Sequence, residues 1–406
     1  MEAFKKEIVE LIDVCRSDKH FLLLSNSSKP WREYVIDYCV GEKPLKLMDA
    51  LFEHYEKYLN KQWDALRVKT QVTPLELAQW LCVKSNCVGS EKAFGLFESL
   101  IAKPIVPLYV VSMVDRLVIH ETYQLDDNTY LCNLHALPKC IQSQVNKIWK
   151  QEKGKWFEYE PVFLVSKLTD DLFVEHTQEH LASLLPHPLV RSLSHVDCTR
   201  FLSLFSYKQG AQLKNQLFLY GDDVPCADFI SFNFDLYSGL SFSNLSGELH
   251  VESTGQIQDI YKKYNSLSKP IRNSIGVSLQ RKSEALSRGS IIDAVIDLGI
   301  CAESILTLQG SSEQSALQVM VLGSKLATDE PNLRAEYYHY LKAFYGIRSS
   351  AVHNGEVRNS YTVKYLGKVE TDVIIMKISE ILSACLIKVI EQGGLDDEQK
   401  EKLLYS

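Results

Sequence analysis

The apolar residues of this chain change their repeat twice, and that change limits the possible folds more than any single motif does. Over residues 1–104 they recur at helical spacing. Phe4, Ile8, Leu11 and Ile12 share one face, as do Leu47, Leu51, His54, Tyr55 and Tyr58. Thr73-Pro74-Leu75-Glu76 reads as a helix N-cap with Pro at the first helical position, and Leu77, Trp80 and Leu81 follow on one side. From residue 105 the pattern shortens to β-branched and aromatic runs at 105–111, 116–123, 129–134, 156–165, 216–220 and 227–237. Turn signals such as Asp126-Asp127-Asn128 and Gly221-Asp222-Asp223 separate several of these runs, with helical breaks expected around 170–206.

Helical spacing returns after residue 256. Helices are expected at 270–286, 290–308 and 313–326. A fourth is opened by Asp329-Glu330-Pro331 and ends at His353-Asn354-Gly355, where Asn and Gly suit a left-handed cap, and a fifth spans 373–390. The polar stretch 354–372 gives no clear pattern. The expected fold class is therefore α+β and multidomain. A helical N-terminal region (1–104) precedes a mixed, β-rich sensor or regulatory domain (105–256). An all-α up-and-down bundle (257–395) and a C-terminal tail (396–406) follow.

With 406 residues, 46% hydrophobic and 23% charged, the chain has the composition of a globular protein with sizeable cores. The net charge of −7 gives no whole-chain argument for nucleic-acid binding. Its distribution is uneven, because residues 261–395 carry 16 Lys+Arg against 13 Asp+Glu and the remainder is acidic. Ordinary variation between domains explains this as well as function does. The ten cysteines are scattered and form no CxxC pair, which favours reduced thiols. The N-terminus lacks a signal-peptide core, and no apolar run reaches the ~20 residues that cross a bilayer. A soluble cytoplasmic protein with no membrane association is expected.

Glu303 stands out within the bundle. It falls on the apolar stripe of Ile292, Val295, Ile296, Gly299 and Leu306, nearly three turns after Ile292. A carboxylate among core positions needs a partner. Arg348 is the natural one, since it flanks the stripe of Leu333, Tyr337, Tyr340, Phe344, Ile347 and Ala351. Gly346, Ser349, Ser350 and His353 mark a different face of the same helix, one of small side chains beside a single imidazole. Arginine binds phosphate as a forked, permanent cation, and histidine moves protons near neutral pH. The pair suggests chemistry on a phosphodiester. The alternative is a core salt bridge from the Arg and a His that caps helix carbonyls.

The run Leu341-Lys342-Ala343-Phe344-Tyr345-Gly346-Ile347-Arg348-Ser349-Ser350-Ala351-Val352-His353-Asn354-Gly355 resembles the Arg–His signature of the Apea-like HEPN domain family. The upstream segment from Ile292 to Leu306 resembles the family's second helix, with Glu303 at its acidic position. The resemblance covers roughly the last third of the chain. Two departures stand out. Relatives often carry a basic residue in the third helix, where this chain has Ser315-Ala316-Leu317-Gln318-Val319-Met320, and often Gly after the His, where it has Asn354.

The resemblance implies a metal-independent endoribonuclease with no cofactor. RNA would be its substrate and Arg348 and His353 its catalytic pair. It further implies a homodimer through the motif-bearing helix, and a role in antiviral defence, abortive infection or toxin modules. The preceding two-thirds would then sense a phage-derived or other protein trigger. Glu303, Ser349 and Asn354 are the supporting candidates, though Ser349, Ser350 and Asn354 suit packing or capping equally. A non-catalytic HEPN scaffold that binds RNA or protein is the alternative.

Other constellations are weaker. His176-Thr177-Gln178-Glu179-His180 matches an H-x-x-E-H zinc pattern, but no downstream ligand is evident and a solvated helical face is the simpler reading. Cys82 with Cys87, and His135 with Cys140, lack paired zinc spacing. Trp31, Trp80 and Trp156 read as packing aromatics. No P-loop, GxGxxG or GxSxG is present.

Overall fold

The computed structural model describes residues 2–22, 41–59, 62–65, 68–115, 117–152, 162–172, 187–227, 232–235, 247–251, 253, 255–308 and 315–405. It is a mixed α+β protein. The N-terminal helices are α1 (Glu2–Cys15), α2 (Lys19–Leu22), α3 (Glu42–Tyr55), α4 (Pro74–Val88) and α5 (Ser90–Ala102). A hairpin of β1 (Gln62–Ala65) and β2 (Val68–Gln71) interrupts this expected all-helical stretch. The Thr73 cap forms a full capping box. The Thr73 hydroxyl accepts from the Glu76 N–H at 3.3 Å, and the Glu76 carboxylate accepts from the Thr73 N–H at 2.7 Å.

A six-stranded sheet follows, ordered β5-β6-β7-β3-β8-β9 with every neighbouring pair antiparallel. Its strands are β3 (Ile105–Asp115), β5 (Tyr123–Gln124), β6 (Thr129–Asn133), β7 (Val162–Asp171), β8 (Gln212–Tyr220) and β9 (Phe232–Asp235). Two short strands, β4 (Leu117–Val118) and β10 (Gly247–Glu248), pair separately and in parallel. The central strand β3 is buried on both faces, and its two-residue repeat sorts its side chains. Val106, Leu108 and Val110 join the core under the N-terminal helices. Tyr109, Val111 and Met113 join a core with Ile141 and Val145 of α6 (Lys139–Glu152). The expected strand at 156–165 is described only from residue 162, and the motif at 176–180, Trp31 and Trp156 lie outside the described residues.

A polar seam crosses one face of this sheet. His195 of α7 (His187–Leu202) is 1% exposed. Its Nδ1 lies 2.7 Å from the Ser112 hydroxyl and its Nε2 2.9 Å from the Ser166 hydroxyl. Ser166 meets Thr129 at 3.0 Å, and the Gln216 side-chain amide donates to Ser112 at 3.2 Å. Burial pulls the His195 imidazole down to about 3, so it sits there neutral.

Helices α8 (Gln256–Ser266), α9 (Lys269–Ser287), α10 (Ile291–Leu306), α11 (Ser315–Ala327), α12 (Pro331–Asn354), α13 (Thr371–Glu391) and α14 (Asp397–Tyr405) make up the C-terminal region. The five expected from the sequence are present with ends shifted by at most a few residues. Three features were not among those expected. Helix α8 precedes the five, residues 360–370 form the hairpin β11 (Ser360–Val363)/β12 (Gly367–Glu370), and the expected tail contains α14. Lys400 of α14 is buried and donates to the Thr307 carbonyl at 2.8 Å, which fixes that helix to the end of α10.

One apolar core runs through the bundle and on across residue 256. It joins Leu298, Phe344 and Leu382 to Phe201, Phe205 and Leu213. Lys282 crosses the same junction. It is 0% exposed and donates from Nζ to the carbonyls of Ser203 (2.6 Å) and Ser206 (2.9 Å) and to the Ser379 hydroxyl (2.9 Å). Helix α9 is thereby tied at one point to the 3-10 turn Ser203–Phe205 and to α13.

Candidate functional site

Arg348 and Glu303 come together as the amphipathic pattern of their helices requires. Tyr337, Tyr340, Leu341, Phe344, Ile347 and Ala351 bury one side of α12, which leaves Arg348 at the edge of the contact with α10. From there Arg348 Nη2 donates to Glu303 Oε2 at 2.9 Å, with both side chains about a quarter exposed. Tyr345, one turn earlier, donates its hydroxyl to the other carboxylate oxygen at 2.9 Å. Its ring also lies 5.7 Å from the guanidinium carbon. Burial, reinforced by the neighbouring Glu303 charge, raises the Tyr345 pKa and keeps the phenol a donor.

Gly299 sets the path of the arginine. A Cβ built there would stand 2.5 Å from both Cδ and Nε of Arg348, so only glycine lets the side chain cross α10 at this point. The crossing leaves Arg348 Nε buried without a hydrogen-bond partner. Glu303 takes up one Nη, and a guanidinium has five N–H donors in a planar fork. The buried Nε faces Gly299, so what this quarter-exposed cation can offer are the Nη donors that Glu303 does not hold.

His353 lies on the last turn of α12 and is exposed. Five residues separate it from Arg348, which places the two side chains about 140° apart around the helix and about 7.5 Å along it. Within one chain they do not converge on one atom. Ser349 and Asn354 are exposed on the same last turns and Ser350 is half-buried. Gly355 takes the left-handed cap at φ 66°, and its N–H donates to the Ala351 carbonyl at 3.2 Å, while Asn354 remains helical.

Sequence reasoning missed Tyr345 and Gly299. Both were readable in principle, since Tyr345 is three residues before Arg348 and Gly299 four before Glu303, one turn away on the same helix. It also missed Asp297, a buried carboxylate bracketed by Arg281 Nη1 and Arg288 Nε, each at 3.1 Å. That cluster locks α9 to α10.

No family model, curated protein or solved structure matches this chain. The case for function therefore rests on the site itself. Among the described residues, no group of three or more His, Cys, Asp or Glu side chains is placed to hold a metal ion. No described helix is long and apolar enough to cross a membrane.

Proposed function

We propose that this chain is an endoribonuclease of the HEPN type. Residues 257–395 would be its nuclease bundle and the preceding residues a sensing region, in keeping with a defence or abortive-infection role. The observation that carries the reading is the held but incompletely satisfied Arg348. Glu303 and Tyr345 fix its position, and Nη donors that Glu303 does not hold remain on its exposed side for a phosphoryl group, five residues from an exposed imidazole.

In the proposed reaction, the His353 imidazole takes the proton from a ribose 2′-hydroxyl. The oxygen attacks the adjacent phosphorus and the P–O5′ bond breaks. Arg348 faces the phosphoryl oxygens and offsets the charge they gain. The 5′-oxygen leaves with a proton from an acid, giving a 2′,3′-cyclic phosphate and a 5′-hydroxyl. DNA lacks the attacking group and would not be cut. The angular separation of Arg348 and His353 favours a site completed by a second copy, with α12 of two chains side by side. His353 of one copy then serves as base and that of the other as acid.

A second reading, a non-catalytic scaffold that binds RNA or protein, is favoured by one observation: Glu303 already pairs with Arg348 and offsets its charge. A cleavage assay on structured and single-stranded RNA in excess chelator separates the two. Products with cyclic phosphate ends, absent with His353→Ala, support the nuclease. RNA that is bound and left intact supports the scaffold.

A further inference from the structure

A cavity of about 520 Å³ opens where the sheet region meets the bundle, well within the size that holds a small-molecule ligand. One wall comes from the segment after the 3-10 turn. There Tyr207 and His250 stack face to face, ring centres 4.6 Å apart and planes within 5°. The buried Lys282 also lies near Tyr207, its Nζ 5.9 Å from the ring centre. His250 is exposed and Tyr207 half-buried, so His250 is the outer member of the stack.

The lining also carries carboxylates. Glu380 accepts from the Tyr337 hydroxyl at 3.3 Å with one oxygen and from Lys377 at 2.8 Å with the other. Each carboxylate oxygen has a second lone pair, so acceptor capacity remains. Asp329 adds a further carboxylate and Lys388 a single cation.

A flat π-surface and carboxylate acceptors lining one cleft match a planar heterocycle that carries an exocyclic amino group. The ring extends the aromatic stack and the amino group donates across the cleft. We propose that this cleft binds an amino-bearing nucleobase, as nucleoside or nucleotide. It is distinct from the Arg348 site and stands or falls independently of the nuclease reading. The backbone makes the cleft sensitive to its contents. The His250 N–H donates to the Phe205 carbonyl at 2.7 Å, and the 3-10 turn ending at Phe205 is held by Lys282. A ligand there touches the sheet region and α13 at once.

The test is calorimetric titration of the full chain with adenosine, cytidine, guanosine and uridine, and with adenosine monophosphate. At least one amino-bearing nucleoside should saturate with a dissociation constant below about 1 mM, tenfold or more tighter than uridine. His250→Ala and Glu380→Gln should each weaken that binding about tenfold or more, His250→Phe should restore it, and Arg348→Ala should leave it unchanged. Tighter binding of the monophosphate than of adenosine, lost in Lys388→Ala and kept in Arg348→Ala, would place its phosphate at Lys388, and equal binding would show recognition of the base alone. No saturation by any probe at about 1 mM, uridine binding as tightly as the others, or binding indifferent to both cleft substitutions would overturn the proposal.

Discussion

Lys282 and Arg348 are cations on two helices that both pack against α10, and their surroundings treat them in opposite ways. Lys282 is fully enclosed, and three acceptors meet its amine within 2.9 Å. Burial pulls its pKa down to about 7, and the same three groups serve either form. As ammonium it donates three times. As amine it donates to the two carbonyls and accepts from Ser379. Arg348 is a quarter exposed, has one carboxylate at one Nη, and keeps Nε buried and unpaired. A cation with every donor matched holds a structure together. One that keeps free Nη donors at an exposed edge is placed to meet something else.

Substitution should separate the two most widely in stability. Lys282→Ala strands two carbonyls and a hydroxyl in the core, and urea denaturation should show a loss on the order of 3–5 kcal/mol. Arg348→Ala, at a half-open site, should cost no more than about 1–2 kcal/mol. Equal losses would break the comparison.

Acid and base should sharpen it next. Between about 3 and 6.5 the unfolded chain holds a proton that the folded His195 does not. Stability should therefore fall as pH drops from 6.5 toward 3, by up to several kcal/mol, and His195→Gln should flatten that slope. Between about 7 and 9 the unfolded chain likewise holds a proton that folded Lys282 has released, so Lys282 contributes a rise in stability with pH across that window, before the buried Cys82, Cys132 and Cys301 thiols, raised by burial, act in the opposite direction. Lys282→Met should remove this rise, whereas Arg348→Met should leave it in place. Thermal melts at a series of pH values read both effects.

Gly299→Ala is the subtler probe. Replacing glycine inside a helix gains up to about 1 kcal/mol, which offsets the displaced arginine arm. The net change in stability should be small, while the Arg348–Glu303 pair is broken. RNA cleavage should then fall nearly as far as in Arg348→Ala. Full activity in Gly299→Ala would show that the arginine's path does not matter. Ser349→Ala, at an exposed position, should change stability by less than about 0.5 kcal/mol and cleavage by less than about tenfold.

Much of the bundle was legible because its helices are long, strongly periodic and capped, and because a carboxylate on an apolar stripe demands a partner. Glu303 predicted Arg348 for that reason. Lys282 was not legible, because Gln280-Arg281-Lys282 reads as a solvated run and its three acceptors come from segments 76 to 97 residues away. His195 was equally hidden, since Ser112, Ser166 and Gln216 each sit on a different strand. The β11/β12 hairpin escaped because its residues are mostly polar and half or fully exposed, leaving no apolar alternation to read. Spacing alone set the Arg and the His on different faces of one helix, and geometry added the hold of Glu303 and Tyr345 on the arginine and its path over Gly299.

The most direct test of the central claim is the end chemistry of RNA incubated with the native chain, His353→Ala and Arg348→Ala in excess chelator, each variant first shown to be folded. The account predicts 2′,3′-cyclic phosphate and 5′-hydroxyl ends from the native chain, and a loss of about a hundredfold or more in either variant. Intact RNA with the native chain, or cleavage that survives both substitutions, would contradict it.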